Sequence, residues 1–191
     1  MNKVVYYTAK IHKAQRIATH AHQNQTRKGT SIPYITHPLS VGIILSRIDS
    51  SEDIIVAGIL HDTIEDCGFT KDYLEKEFGK NVARMVNDLT EQDKSLPWEE
   101  RKKLALEHIK QMQKDSILVK SADVLQNMTD QLADYKTEGN NMFDRFNAPK
   151  EKQLDRYQKL VRELEKKWKE NPLLSELKGT FGKILVEWKN R

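Results

Sequence analysis

The chain has 191 residues, of which 38% are hydrophobic and 31% charged, and its formal net charge is +4. This length suffices for one domain with a sizeable core. Eight glycines and five prolines are few for the many turns of an all-β fold. No apolar run approaches the roughly 20 residues of a membrane span. The single cysteine, Cys67, rules out an internal disulfide and favours a cytoplasmic protein.

Apolar residues spaced three and four apart predict helices along the chain, and polar stretches around glycine and proline predict the connections. The predicted helices are 3–23, one beginning at Thr36 or His37, one over 51–68, one over 70–79, one ending near Thr90, 97–114, 115–134, one around 154–168, and a last one carrying Ile184, Leu185 and Trp188. Residues 24–36 and 136–148 are predicted loops. We therefore predict an all-α domain of eight or nine helices.

The most informative segment is His-Asp-Thr-Ile-Glu-Asp at residues 61–66. On one continuous helix, His61 would share a face with Glu65, and Asp62 with Asp66, because residues four apart are neighbours. Imidazole and carboxylate groups are ligands for divalent metals and also carry protons in catalysis. This segment predicts a metal-dependent hydrolase.

A hydrolytic metal needs further ligands from other helices. His37 is a candidate because it stands at a helix start after a loop. Asp123 is another, since a carboxylate in an otherwise apolar helical stretch is costly unless it is paired or bound to metal. Together with His61 and Asp62 they would form a set of two imidazoles and two carboxylates, which suits Mn, Fe, Co or Zn.

Other polar residues are candidates for catalysis and substrate binding. Glu65 and Asp66 could position or deprotonate a water or protonate a leaving group, or they could only orient the ligands. Candidates for contacts to a phosphorylated nucleotide are Arg27, Lys28, Tyr34, Lys94, Asn127, Arg145 and Lys150. Each of these residues could instead have no role in substrate binding. The cations would then be ordinary surface charges, Tyr34 a packing residue and Asn127 a helix contact. His22 is expected at the surface, and Cys67 has no evident activating partner.

Four ordered motifs carry a family resemblance. They are Gln25-Thr26-Arg27-Lys28, Pro33 to Pro38, His61 to Asp66, and Lys120 to Asn127. With these motifs the chain resembles the HD-domain phosphohydrolases, and within them the hydrolase domain of RelA/SpoT proteins and the small stand-alone SpoT homologues. The resemblance implies one HD hydrolase domain over 1–191, with a motif-bearing core at about 14–134 and C-terminal helices at about 149–190 packing on it.

The resemblance also implies a function. His37, His61, Asp62 and Asp123 would hold the metal, typically Mn²⁺, and Glu65 and Asp66 would be the catalytic acids. Arg27 and Lys28 would contact the base and Asn127 the sugar. The implied reaction removes the 3′-diphosphate of ppGpp or pppGpp and releases pyrophosphate with GDP or GTP.

Two alternatives stay open: an HD phosphohydrolase acting on another nucleotide such as NADPH, and an HD module that binds a nucleotide without turnover. The expected partner is a small-molecule nucleotide. A homo-oligomer is allowed, whereas binding to a membrane or to nucleic acid is not expected.

Overall fold

The structure is a computed structural model that describes residues 7–91, 93 and 95–189. These described residues form ten α-helices, one 3₁₀ helix and no strand. The helices are α1 (Ala9–Ala21), α2 (Thr36–Arg47), α3 (Glu52–Leu60), α4 (Thr63–Cys67), α5 (Lys71–Phe78), α6 (Lys80–Leu89), α7 (Trp98–Ile109), α8 (Lys114–Glu138), the 3₁₀ helix (Gly139–Arg145), α9 (Lys150–Lys167) and α10 (Leu174–Lys189). The predicted all-α class is confirmed. None of these helices is long and apolar enough to cross a membrane.

Several predicted helix ends are confirmed by capping contacts. Thr70 Oγ1 accepts a hydrogen bond from the Tyr73 N–H at 3.1 Å, so Thr70 is the N-cap of α5. Gly68 ends α4 at a φ of 72°, which glycine adopts without steric cost. The first helix begins at Ala9 after the N-cap Thr8, and the predicted residues 3–6 lie outside the described part of the chain.

The predicted helix over residues 51–68 is two helices. A turn at His61 and Asp62 separates α3 from α4. This division explains why the described residues form ten α-helices, whereas eight or nine were predicted. Side chains bind the carbonyls at the end of α3: His61 Nδ1 donates to Gly58 O at 2.8 Å, and Thr63 Oγ1 donates to Leu60 O at 2.7 Å. Such contacts satisfy carbonyl groups that lose their helical partners where a helix ends.

The other corrections concern the second half of the chain. Helix α7 ends at Ile109, whereas the prediction placed its end near residue 114. Helix α8 runs to Glu138, and most of the predicted loop 136–148 is helical, because α8 stops only at Gly139 with a φ of 61°. Tyr135, which lies in this extension, is fully buried and packs against Phe143 and Trp188 at ring-centroid distances of 5.9 and 5.8 Å.

The described residues belong to two compact units. The first comprises Met1–Gln92 and Met112–Asp123, and the second comprises Asp93–Gln111 and Val124–Arg191. In the first unit α3 packs against α1, α2 and α6; in the second, α9 packs against α7 and α10. The single domain over residues 1–191 stays a prediction.

Arg84 of α6 fixes the start of α8 in the first unit. Its Nη1 atom donates to Ser116 Oγ at 2.9 Å and to Asp88 Oδ2 at 3.2 Å, while Nη2 pairs with Asp115. Ser116 Oγ in turn donates to Asp88 Oδ2 at 2.6 Å. Charged and neutral hydrogen bonds therefore join α6 to the segment of α8 that carries Asp123.

Two glycines, Gly42 of α2 and Gly58 of α3, let these helices approach closely. Adding a side chain at Gly58 tests how closely they pack. A Cβ at Gly58 would lie 2.4 Å from Leu45 Cδ1 and 3.2 Å from Val41 Cγ1, and both neighbours are fully buried. We expect Gly58→Ala to lower the free energy of unfolding by about 1–2 kcal/mol, since overpacking outweighs the better helix propensity of alanine. Urea-induced unfolding measures this change.

The matched control is Gly179→Ala, because Gly179 lies inside α10 and a Cβ there would meet no atom within 4 Å. We expect that variant to be more stable by about 0.5–1 kcal/mol. Equal effects at the two positions would contradict close packing of α2 on α3.

Candidate metal centre and active site

Two buried imidazoles meet where α2 begins and α3 ends. His37 is the second residue of α2 and His61 directly follows α3, and each has less than 4% of its surface exposed. Their Nε2 atoms lie 3.1 Å apart. Because His61 Nδ1–H donates to Gly58 O, the neutral form of His61 has its lone pair on Nε2, the atom that faces His37.

Two carboxylates complete this cluster. Asp62 Oδ2 lies 3.1 Å from His61 Nε2 and 3.6 Å from His37 Nε2. Asp123 Oδ1, from α8, lies 3.4 Å from His37 Nε2 and 3.9 Å from His61 Nε2. The structure therefore brings together all four residues that the sequence predicts as metal ligands.

The donor atoms have a spacing that fits one metal ion. Ligand nitrogens and oxygens bind zinc at about 2.0–2.2 Å, so two ligand atoms lie about 3.0 Å apart at a right angle and about 3.4 Å apart at the tetrahedral angle. The ligand atoms of His37, His61 and Asp123 all lie within 4.8 Å of one another, and those of Asp62 are similarly close to both imidazoles. Nitrogen and carboxylate oxygen without thiolate suit a divalent transition metal.

Lys120 supports this arrangement from the same helix as Asp123. Its Nζ atom lies 2.8 Å from Asp123 Oδ2, and the Lys120 side chain is only 16% exposed. The ammonium group thus binds Oδ2 of the Asp123 carboxylate, and the other oxygen, Oδ1, faces the imidazoles. Lys120 was not among the residues predicted to act in the site, although its position three residues before Asp123 places the two side chains on one face of the helix.

Charges within the cluster shift the pKa values of its members. Burial alone would lower the pKa of His61, but the charge and hydrogen bond of Asp62 outweigh it and raise the pKa to about 9. Burial would raise the pKa of Asp62, yet the two imidazoles lower it overall. The pKa of Asp123 is likewise lowered against the effect of burial, chiefly by Lys120. Because a metal ion binds neutral imidazole, His61 would have to lose this proton to act as a ligand.

Tyr34 lies against the cluster. Its hydroxyl donates to Asp62 Oδ2 at 2.7 Å, and its ring centroid is 5.9 Å from that of His37. Burial and the charge of Asp62 raise the pKa of Tyr34 above its ordinary value, so the hydroxyl keeps its proton and acts as a donor. Tyr34 was predicted to contact the substrate, and its hydroxyl in the structure binds Asp62, a predicted metal ligand.

The two predicted catalytic acids differ in their surroundings. Glu65 is half-buried and its Oε2 atom accepts the Glu91 N–H at 3.0 Å. Burial raises the pKa of Glu65, and the neighbouring carboxylates add to that rise. Asp66 is exposed, and its backbone N–H donates to Asp62 O at 2.8 Å. Glu65 therefore has the environment of a proton-transfer group that works above the ordinary carboxylate range.

The predicted substrate contacts in the first unit lie on the loop before α2. The guanidinium of Arg27 lies over the Tyr34 ring, 5.6 Å from its centroid, and Lys28 is exposed. Backbone hydrogen bonds hold this loop: Arg27 N–H donates to Ile32 O at 2.8 Å, and residues 26 and 33 form an isolated bridge. Lys94 lies outside the described residues.

The remaining predicted contacts lie in the second unit. Asn127 follows Asp123 by one turn of α8 and is half-buried. Arg145 is 8% exposed and pairs with Asp134 and Glu138, each at 3.0 Å. Lys150 donates to Asn140 Oδ1 at 3.1 Å and lines an open cavity of about 560 Å³ with Phe143 and Phe146. Their contacts to a substrate stay predictions.

The predicted surface position of His22 is wrong, because this residue is only 1% exposed. Its Nδ1 atom donates to Gln25 Oε1 at 2.7 Å, and its ring centroid is 5.0 Å from that of Tyr34. Cys67, which lacked an evident partner in the sequence, has its Sγ atom 3.4 Å from His22 Nδ1. A signal for the burial of His22 was present, since it continues the buried stripe of Ala14 and Ala18 at a spacing of four.

Comparisons with known proteins agree with the motifs and the fold. The family model described as "HD domain" matches residues 14–150. The guanosine-3′,5′-bis(diphosphate) 3′-pyrophosphohydrolase MESH1 of Xenopus tropicalis is 41% identical over 125 residues, which are 64% of this chain and 69% of that protein. The human protein of the same name has the same identity and coverage.

Solved structures extend the likeness to the whole fold. A metazoan orthologue of SpoT, described as hydrolysing ppGpp and acting in starvation responses, superimposes with a TM-score of 0.76 at 28% identity, over 96% of this chain and 97% of that one. The lmo0812 protein of Listeria monocytogenes superimposes with a TM-score of 0.70 at 29% identity, over 81% of this chain and 99% of that one. By its motifs, its fold and the matched family model, this chain belongs to the HD-domain family.

Proposed function

We propose that this protein is a metal-dependent pyrophosphohydrolase that removes the 3′-diphosphate of ppGpp and pppGpp, giving GDP or GTP and pyrophosphate. The observation that carries the proposal is the cluster of three buried residues, His37, His61 and Asp123, with the half-buried Asp62. The measured pairs of donor atoms in this cluster lie 3.1–3.9 Å apart. The relatives named as guanosine-3′,5′-bis(diphosphate) 3′-pyrophosphohydrolases support the choice of substrate.

In this proposal the four cluster residues hold one divalent ion, and Mn²⁺ is the candidate that the resemblance favours. When bound, such an ion polarises a phosphoryl oxygen and activates a water. Lys120 keeps Asp123 Oδ1 directed at the imidazoles, because it binds the second carboxylate oxygen. His61 presents Nε2 to the ion since its Nδ1–H is bound to Gly58 O.

Glu65 and Asp66 are proposed to transfer protons. Glu65 takes a proton from the attacking water or returns one to the leaving oxygen, and its raised pKa suits both steps. Its carboxylate is held by the Glu91 N–H, so its position does not depend on the substrate. Asp66 is exposed and can exchange protons with solvent.

Arg27 is proposed to contact the nucleotide base. Its guanidinium lies over the Tyr34 ring on the loop that leads into His37, and a flat guanidinium stacks on aromatic faces. Lys28, Lys94, Arg145 and Lys150 are proposed as phosphate contacts and Asn127 as a sugar contact. The cytoplasmic location and a homo-oligomeric state also stay predictions.

The decisive experiment is product analysis after the purified protein and Mn²⁺ are incubated with ppGpp. We expect GDP and pyrophosphate, no product with a chelator, and no product from Asp123→Ala. NADPH is tested in parallel. Phosphate released from NADPH without turnover of ppGpp would move the assignment to another nucleotide, and nucleotide binding without metal-dependent turnover of either would favour a binding module.

A further inference from the structure

We propose that Tyr34 is a positioning residue, which orients the carboxylate of Asp62 toward the metal and does not act by contacting the substrate. This inference rests on the metal centre of the proposed function. It concerns the hydroxyl group of Tyr34, whose partner in the structure is Asp62 Oδ2 at 2.7 Å.

The hydroxyl binds the carboxylate oxygen that faces the imidazoles. Asp62 Oδ2 lies 3.1 Å from His61 Nε2, so the oxygen that accepts the Tyr34 hydrogen bond also lies against the imidazole of His61. A carboxylate rotates easily about its terminal bond, and a donor on one oxygen holds that rotation.

The ring of Tyr34 is itself held in place. His22 packs beside it at 5.0 Å with a 31° angle between the ring planes, and the ring of His37 lies 5.9 Å away at an angle of 72°. The main chain of Tyr34 is bound on both sides, since its N–H donates to Gln25 O and its carbonyl accepts the His37 N–H, both at 2.9 Å. The hydroxyl is therefore aimed before any ligand binds.

Gln25 links this support to the predicted catalytic acids. Its Oε1 atom accepts from His22 Nδ1 at 2.7 Å, and its Nε2 atom donates to Asp66 O at 3.1 Å. One side chain thus connects the ring beside Tyr34 to the backbone of α4. His22, Gln25 and Tyr34 form a continuous set of contacts that ends on Asp62.

The test compares Tyr34→Phe with the parent protein by titration with Mn²⁺ alone, followed by electron paramagnetic resonance of the free ion. Tyr34→Phe keeps the ring and removes only the hydroxyl. Loss of a group that orients a metal ligand typically weakens metal binding or activity 10–100-fold. We expect the dissociation constant for Mn²⁺ to rise at least about tenfold and kcat to fall while KM stays within about twofold.

The matched control is Tyr73→Phe, because Tyr73 lies on α5, is 39% exposed and packs on Phe69. We expect it to leave Mn²⁺ binding unchanged. Unchanged Mn²⁺ affinity in Tyr34→Phe with a raised KM would overturn the inference and assign Tyr34 to the substrate. A parent protein that binds no Mn²⁺ would overturn the metal centre and this inference with it, whereas failure to hydrolyse ppGpp alone leaves the metal titration interpretable.

Discussion

His61→Ala or Asp62→Ala is expected to abolish both metal binding and hydrolysis while leaving a helical protein. The two residues form the turn between α3 and α4, and their donor atoms lie 3.1 Å apart within the buried cluster. A bound metal contributes several kcal/mol to stabilising the transition state, so we expect turnover to fall by about 10³-fold or more. Metal content by mass spectrometry and helicity by circular dichroism measure the two parts of this result.

His20→Ala is the matched control, because His20 is exposed in the last turn of α1 and lies outside the cluster. It should keep the metal content and turnover of the parent. Full turnover in either His61→Ala or Asp62→Ala would show that the metal centre is assigned to the wrong residues.

Glu65→Gln is expected to keep the metal and lose most of the rate. Glutamine still accepts the Glu91 N–H, which lies 3.0 Å from Glu65 Oε2, but it cannot transfer a proton. General acid–base catalysis contributes about 10²–10⁴-fold, and we expect kcat to fall within that range. A normal rate in this variant, with normal metal content, would remove Glu65 from the chemistry.

The same variant should be more stable than the parent when both are metal-free at neutral pH. Burial raises the pKa of Glu65 in the folded protein above its value in the unfolded chain. Ionised Glu65 therefore disfavours the folded state, and this cost appears as the pH rises through the folded pKa. Below the unfolded pKa, at about pH 4, both states are protonated and the cost is absent.

Thermal unfolding at two pH values measures this effect. For a chain of this length each 1 kcal/mol shifts Tm by about 2–4 °C. We expect a higher Tm for Glu65→Gln at pH 7 and a smaller difference at pH 4. The same Tm as the parent at both pH values would contradict a destabilising carboxylate. Glu107→Gln, at an exposed position on α7 where the carboxylate pairs with Lys110, serves as the comparison.

Local signals in the sequence were sufficient for the helical class and for most helix ends. Thr70 caps the start of α5 and Gly68 ends α4 through a hydrogen bond and a backbone dihedral angle that involve only a few neighbouring residues. Such helix ends can therefore be predicted from the sequence. The same holds for the candidate ligands His37 and Asp123, because a histidine at a helix start after a loop and a carboxylate in an apolar helical stretch are both visible in the sequence.

The contacts that build the site were decided only by the tertiary structure. His37 and His61 are 24 residues apart, Tyr34 and Asp62 are 28 apart, and no short-range pattern encodes either contact. The break of the helix at His61 depends on side chains that bind the carbonyls of Gly58 and Leu60, which apolar periodicity does not report. The ion pairs of Arg145 with Asp134 and Glu138 also could not be predicted, because they join residues 11 and 7 positions apart. Periodicity and capping depend on neighbours along the chain, whereas metal ligation and proton transfer depend on neighbours in space.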